Sequence, residues 1–247
     1  MSLSKLSIRH IVAPKASSLL ANRLREMILS GELNSGELLP SEQSLATESG
    51  LSRGSVREAL KILEVEGLLE IRSGRAGGAR VTVPHRQSLA RTTELFVRTN
   101  GVTLQSLLDC RIAVEPMLAR LTARNRSEAE LKRLRELHQA FEASVDNVQR
   151  YRRVNFDWHL AVAAASRNEP LIALMEAIAT PVYEATGYEV VTTPESRREA
   201  VKAHNAVMRA IERRDEEAAA RAMEKHLTSY SAILRQNDPH MGIAAVE

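Results

Sequence analysis

Three histidines and one asparagine in the C-terminal half stand inside predicted helices, at positions that could hold a metal ion. Asn155 and His159 are four residues apart, so both face the same side of one helix. His204 and His226 lie on successive helices joined near Arg214, and both are about 15 to 18 Å from that turn. Three imidazoles and one oxygen could bind Zn²⁺, Ni²⁺ or Mn²⁺ and leave positions open for another ligand. The spacing leaves the alternative equally open, that each histidine is a buried polar residue paired with a carboxylate.

Two arginines begin a predicted helix in the N-terminal half and could contact DNA. Arg53 and Arg57 are four residues apart, about 40° around the helix axis. Their guanidinium groups could fork onto guanine edges or bridge phosphate oxygens, and the small residues between them let the backbone approach a phosphate. The alternative is a solvated helix face on which these arginines pair with Glu48 or Glu58.

A predicted β-ribbon follows that helix, and basic residues flank its glycine-rich tip. Arg72, Arg75 and Arg80 surround the tip, which suits a wing lying along the DNA backbone or in the minor groove. An ordinary hairpin is the alternative. The order of helix, tight turn, arginine-bearing helix and basic ribbon favours the DNA-binding interpretation over a solvated surface.

The elements that must position these arginines are short and separated by glycines. Helical periodicity, capping residues and two runs of strand-forming residues predict three helices and two strands, at residues 16–30, 41–49, 52–66, 68–72 and 79–83. Ser41 and Ser52 are good N-caps, and Gly50 ends the helix between them. The pattern is typical of a winged helix-turn-helix, which we place at residues 1–84.

From about residue 87 the sequence changes to long amphipathic helices with few glycines. The predicted helices span residues 103–123, 127–145, 148–166, 171–180, 193–212 and 215–234. Thr103 is the cap of the first, Ser127 with Glu130 forms a capping box, and Thr193 precedes a proline at the first helical position. Pro181 is expected to interrupt a helix or start the next. We therefore predict a mainly α protein, with a linker at 85–90, an all-α bundle of six or seven helices at 91–240 and a tail at 241–247.

Composition limits the classes of function. A hydrophobic fraction of 44% and a charged fraction of 26% fit a globular protein, and no run of apolar residues reaches the length of a membrane span. The net charge of +3 does not by itself identify a nucleic-acid binder. An aromatic fraction of 3% argues against binding of single strands by stacking. One cysteine, Cys110, and the lack of a signal-like N-terminus lead us to expect a reducing cytoplasm.

Three stretches carry a resemblance to a known family. They read Leu-Pro-Ser-Glu-Gln-Ser-Leu-Ala at 39–46, Leu-Ser-Arg-Gly-Ser-Val-Arg-Glu-Ala-Leu at 51–60 and Glu-Gly-Leu-Leu at 66–69. Together with residues 24–36 they closely resemble the GntR family of bacterial regulators. With the helical C-terminal half, nearly the whole chain resembles the FadR-type branch, whose sensor is an FCD domain. The resemblance implies a DNA-binding transcription regulator, expected to be a repressor, and not an enzyme.

The resemblance gives the C-terminal residues specific roles. Residues 155–159, His204 and His226 look like the metal-binding positions of FCD domains, for which we expect a divalent metal such as Zn²⁺. Many members carry aspartate where this chain has Asn155, and a neutral amide oxygen is a weaker ligand than a carboxylate.

In FCD domains an arginine resembling Arg111 holds the carboxylate of the ligand. A planar guanidinium beside a metal suits this task, so the resemblance implies a small carboxylate as effector. On spacing alone, Arg111 and Glu115 instead favour an exposed ion pair between positions i and i+4 of one helix.

The DNA-binding residues follow from the pattern and the resemblance together. We expect contacts from Ser41, Gln43, Arg53, Gly54, Ser55, Arg57, Arg72, Ser73, Gly74 and Arg75. Many family members have arginine where this chain has Gln43, which puts that contact in doubt. One recognition helix reads only a few base pairs, so we expect a homodimer on a palindromic operator.

Two other functions use the same residues. A metal-dependent hydrolase could use the histidines to activate water, but no residue is placed as a general base and no His-Glu-x-x-His motif occurs. A DNA-bridging protein would need no small ligand at all.

Overall fold

The protein forms two compact units with a boundary between residues 85 and 86. The computed structural model describes residues 14–72, 74, 77–84, 86–185 and 193–237. Within these ranges, helices dominate both units, and no helix combines the length and the apolar character that crossing a membrane requires. The predicted fold class, a winged helix-turn-helix followed by an all-α bundle, is confirmed.

The N-terminal unit has the predicted order of elements. Its helices and strands are α1 (Ala16–Leu29), α2 (Glu42–Ser49), α3 (Arg53–Val65), β1 (Leu69–Arg72) and β2 (Gly78–Val81). The two strands pair in antiparallel register, with Leu69 opposite Val81 and Arg72 opposite Gly78. The observed bounds differ from the predicted bounds by one or two residues, as is usual where helices and strands fray.

Local capping explains the tight turn between α2 and α3. The hydroxyl of Ser41 accepts a hydrogen bond from the backbone N–H of Ser44, and the hydroxyl of Ser52 does the same for Ser55. Gly50 adopts φ +70°, the left-handed conformation that ends a helix at little cost when no Cβ is present. The start of α3 is therefore fixed next to α2.

A small apolar core holds α3 from one side. Val56, Leu60 and Leu63 lie on its buried stripe and pack with residues of the other elements, including Leu24 and Val81. This packing leaves the opposite face of α3, and the arginines on it, at the surface.

The C-terminal unit contains seven helices in its described part. They are α4 (Arg86–Thr99), α5 (Leu104–Asn125), α6 (Glu128–Glu142), α7 (Val148–Ala165), α8 (Glu169–Ala185), α9 (Pro194–Glu212) and α10 (Glu216–Asn237). The predicted caps Thr103, Ser127 and Thr193 are confirmed, and Ser127 with Glu130 forms the expected capping box.

Two features of this unit differ from the sequence interpretation. Helix α8 continues through Pro181 to Ala185, so the predicted end near residue 180 was wrong. Burial of Ile178 and Val182 on either side of the proline explains why the helix tolerates it, because packing can outweigh a cost of about 3 kcal/mol. Helix α4, which received no bounds from the sequence, begins at Arg86 and packs against α8.

Two arginines cap two helix ends reciprocally. Arg126, whose side chain is 5% exposed, follows α5 and donates a hydrogen bond to the carbonyl of Glu212 at the end of α9 (3.0 Å). Arg214 follows α9 with φ +57° and donates to the carbonyls of Arg124 (2.9 Å) and Arg126 (3.1 Å). Each cation thus lies at the negative end of the other helix, where the last carbonyls lack helical partners.

We expect Arg126→Ala to lower the free energy of unfolding by about 1.5 to 3 kcal/mol, because the half-buried carbonyl of Glu212 loses a charged donor. Urea denaturation followed by circular dichroism measures the change. Arg133→Ala is the control, since that side chain is 62% exposed and pairs with Glu136 at 3.8 Å; its effect should stay below about 0.5 kcal/mol. Equal effects of the two substitutions would contradict the capping role.

Candidate metal centre and nucleic-acid interface

Helices α7, α9 and α10 each bring one histidine to the same place in the C-terminal interior. His159, His204 and His226 are 4%, 0% and 7% exposed. One nitrogen of each lies within 4.8 Å of the others, and the Nε2 atoms of His204 and His226 are 3.1 Å apart. Two nitrogens of one tetrahedral zinc site, with bonds of about 2.0 to 2.1 Å, stand about 3.3 Å apart.

The hydrogen bonding of His159 defines which of its nitrogens is available. Its Nδ1 lies 2.5 Å from Oε2 of Glu115, and an ionised carboxylate can only accept, so Nδ1 carries the proton. The lone pair then belongs to Nε2, which is buried and has no hydrogen-bond partner among the described residues. Buried polar atoms normally have a hydrogen-bond partner, so an unpartnered nitrogen of this kind is suited to bind a metal ion.

Glu115 also receives a hydrogen bond from Arg111 on the same helix. The Nε atom of Arg111 lies 2.5 Å from Oε1 of Glu115, and the two side chains are 7% and 2% exposed. The ion pair expected from the i, i+4 spacing exists, but its expected exposure was wrong. Burial by itself would raise the pKa of Glu115, yet Arg111 and His159 outweigh it and lower that pKa to about 2.

Burial keeps the three imidazoles neutral. It lowers the pKa of His159, and it lowers the pKa of His204 well below its usual range, where the neighbouring His226 adds to the effect. Burial and the nearby His159 lower the pKa of His226 to about 3. Neutral imidazole is the form that binds a metal, so the three side chains and the unpartnered nitrogen fit a divalent ion of the zinc type.

A cavity of about 330 Å³ opens beside this cluster, and it contains the fourth predicted ligand. Asn155, 9% exposed and one helical turn before His159, lines the cavity together with Arg111 and His226. Lys202 and Lys225 line the same cavity. The described residues thus bring together all four predicted metal ligands and the predicted effector arginine.

A smaller cavity adjoins the first through three shared residues. Arg111, Asn155 and His159 line both of them. The remaining wall of the smaller cavity is mostly apolar and includes Phe156, Leu160, Met175, Ile178, Ala179, Val182 and Tyr183. A ligand held at the shared residues could therefore extend into either cavity.

Sequence reasoning missed the part that Glu115 and His138 take in this cluster. His138 on α6 is buried, its ring centroid lies 6.3 Å from that of His204, and its Nε2 lies 2.9 Å from Oδ1 of Asn205. The burial of Glu115 could have been predicted from the sequence, since Glu115 and Arg111 lie on the same stripe of α5 as the apolar residue Leu118. Charged residues on an apolar stripe are buried with partners and are seldom exposed.

The predicted DNA-binding residues lie mostly at the surface of the N-terminal unit. The exposed ones are Ser41, Gln43, Arg53, Gly54, Arg57, Arg72 and Gly74, while Ser55 is half-buried. Ser73 and Arg75 lie outside the described residues. Arg53, Gly54, Ser55 and Arg57 all occupy the first turns of α3, as a major-groove helix would require.

Glu42 holds the guanidinium group of Arg57. The Nε and Nη2 atoms of Arg57 donate to the two carboxylate oxygens of Glu42, at 3.2 and 2.8 Å. For Arg57, the alternative partners Glu48 and Glu58 were wrong, because its guanidinium group pairs with Glu42 at the start of α2. On the ribbon, Arg72 pairs with Glu70 at 2.9 Å.

Comparison with known proteins gives matches in both units. The FCD domain family matches residues 106–229, and the family described as bacterial regulatory proteins, gntR family, matches residues 17–78. The HTH-type transcriptional repressor NanR of Citrobacter rodentium is 29% identical over 234 residues, which cover 91% of this chain and 87% of that protein. The HTH-type transcriptional regulator LutR of Bacillus subtilis is 29% identical over 212 residues, which cover 84% of this chain and 96% of that protein.

A solved structure shares the fold. Streptococcus agalactiae GntR superposes with a TM-score of 0.62 at 23% sequence identity, covering 87% of this chain and 99% of that one. The helix-turn-helix match coincides with α1 to the wing, and the FCD match runs from α5 into α10. The chain therefore belongs to the GntR family of bacterial regulatory proteins, as a transcription regulator with a C-terminal FCD domain.

Proposed function

We propose that this regulator binds its operator as a homodimer, and that a small organic acid bound at a metal site in the FCD domain controls its affinity for DNA. The observation that carries the proposal is the cluster of three buried neutral histidines, two of which, His159 and His226, line a cavity of about 330 Å³ together with the buried Arg111. We propose that the effect on transcription is repression, and the similarity to NanR of Citrobacter rodentium, which is a repressor, supports this direction. Because its partner is DNA, the proposed location is the cytoplasm.

The side chains around the cavity would bind two different groups, the metal ion and the carboxylate of the acid. His159, His204 and His226 would hold the divalent metal, with Asn155 as a fourth, neutral ligand, and the metal would supply positions for an oxygen of the acid. Arg111 would bind the carboxylate with its guanidinium group, whose orientation is fixed because Glu115 holds its Nε. Zn²⁺ suits the nitrogen-rich donor set, and Ni²⁺ and Mn²⁺ are the alternatives.

Control of DNA affinity requires that the acid binds one state of the dimer better than the other. The proposed ligand site and the DNA-contacting helix belong to different units of the chain. A ligand that shifts operator affinity 10- to 100-fold must differ in its own binding free energy between the two states by about 1.4 to 2.7 kcal/mol. A metal-bound carboxylate that also pairs with Arg111 is within that range.

On the DNA side, we expect Arg53→Ala and Arg57→Ala each to weaken operator binding roughly 5- to 150-fold while the fold stays intact. Both residues are exposed in the first turns of α3, so their removal leaves the core unchanged. Fluorescence anisotropy with labelled operator measures the affinity, and Arg133→Ala in the other unit is the control. Unchanged affinity in both variants would refute the assignment of α3 as the reading helix.

The wing should contribute affinity that does not depend on base sequence. Replacing Arg72 and Arg75 with alanine should reduce the slope of log affinity against log salt by roughly one unit for each lost phosphate contact. Titrations at several salt concentrations, with operator and with unrelated DNA, test this. A double variant that keeps the wild-type slope would show that the wing does not touch DNA.

At the metal site, we expect His204→Ala to abolish Zn²⁺ binding and Asn155→Asp to tighten it about tenfold by adding a charge. Competition with a chelating dye measures the affinity, and operator binding in the absence of effector should persist in both variants. Because His204 is fully buried, Asn155→Asp provides a second test that removes no packing. If the purified protein binds no metal and His204→Ala keeps its response to an acid, the metal part of the proposal fails and Arg111 alone remains.

A further inference from the structure

Glu115 is the only described residue hydrogen-bonded to both Arg111 and His159 by its own side chain. Its Oε1 accepts from Nε of Arg111 and its Oε2 accepts from Nδ1 of His159, both at 2.5 Å. It is 1% exposed, so water does not compete for either oxygen. One carboxylate therefore fixes two side chains that belong to two different elements, α5 and α7.

The second of these contacts controls the chemistry of His159. A neutral imidazole carries its proton on either nitrogen, and only the nitrogen without the proton can bind a metal. A carboxylate at Nδ1 keeps the proton there and leaves the lone pair on Nε2. Carboxylates that hold a histidine in this way are widely used to orient metal ligands, and their loss costs about 10- to 100-fold in metal affinity.

We infer that Glu115 is a positioning residue that fixes His159 in the Nδ1–H tautomer and at the same time fixes the guanidinium group of Arg111. The inference rests on the proposed function for its consequence in metal affinity, whereas the tautomer itself is a property of the metal-free protein. Because one carboxylate holds both groups, disturbance of the arginine by an effector also reaches the histidine, and the two binding sites are thermodynamically linked.

The alternative is that Glu115 only neutralises Arg111, and the variant Glu115→Gln separates the two roles. Arginine has donors and no acceptor, so the amide oxygen of Gln must turn toward Arg111. The amide NH₂ then faces Nδ1 of His159, which must become the acceptor. The proton moves to Nε2, the nitrogen that would bind the metal, so Glu115→Gln should reverse the tautomer.

The first measurement is two-bond ¹H–¹⁵N correlation NMR on the full-length, metal-free protein labelled at histidine, with His159→Asn to assign the signal. In the wild type we expect Nδ1 of His159 to be protonated and Nε2 to be unprotonated, and in Glu115→Gln the reverse. Glu142→Gln is the matched control, because Glu142 lies 3.4 Å from Nε2 of His138 and is 42% exposed. It should leave the His159 signal unchanged.

The second measurement is Zn²⁺ affinity by competition with a chelating dye. Glu115→Gln should weaken binding at least 10- to 100-fold, and Glu142→Gln should change it less than twofold. Wild-type affinity together with an unchanged Nδ1–H tautomer in Glu115→Gln would overturn the inference. If the wild type binds no Zn²⁺, the proposed metal site fails, while the NMR experiment still decides the role of Glu115.

If loss of the carboxylate charge beside buried Arg111 prevents Glu115→Gln from folding, the double variant Arg111→Met, Glu115→Gln provides the test. Without the arginine, the amide can present either its oxygen or its NH₂ to His159. We expect signals of both tautomers in place of the single one of the wild type. A single Nδ1–H tautomer in this double variant would show that the carboxylate is not needed and would overturn the inference.

Discussion

An ionised carboxylate in the interior of a protein loses its hydration, and the FCD domain compensates Glu115 with the guanidinium group of Arg111. Taking the two charges out of water costs several kcal/mol each, which only close approach and complete hydrogen bonding can offset. Both oxygens of Glu115 are used, one by Arg111 and one by His159. On the role proposed for Glu115, its ionisation determines the tautomer of His159, and through it the nitrogen that would face a metal.

The apolar core orients the second histidine of the cluster, His204, and keeps it neutral. Trp158 is fully buried, and its ring centroid lies 4.0 Å from that of His204, while Phe141 lies 4.5 Å away. Stacking between aromatic rings orients the imidazole, and the loss of water keeps it neutral, as the lowered pKa of His204 indicates. Packing thus gives this histidine the charge state that metal binding needs, without a hydrogen bond from a carboxylate.

The parts of the fold that follow from local rules could be predicted from the sequence. Ser52 and Gly50 mark the turn of the helix-turn-helix because capping and φ depend on neighbouring residues alone. His204 and His226 lie at similar distances from the turn between their helices, so the helical rise predicts that the two residues are near each other. The burial of Glu115 could not be derived from its spacing to Arg111, since an i, i+4 pair has the same spacing on any face. The partner of Arg57 depends on how α2 crosses α3, which no local pattern contains.

The same chemical device, a carboxylate holding an arginine, occurs at both proposed sites with opposite consequences. The pair of Arg57 and Glu42 has side chains 70% and 37% exposed, so water and salt weaken it and a phosphate or a guanine can replace the carboxylate. The pair of Arg111 and Glu115 is 7% and 2% exposed, and its separation would remove the ion pair between two charges that stay buried in the interior. Exposure thus allows Arg57 to exchange its partner, as the proposed contact of this residue with DNA would require. Burial makes the second arginine a fixed part of the cavity wall, which the proposed carboxylate ligand would meet already oriented.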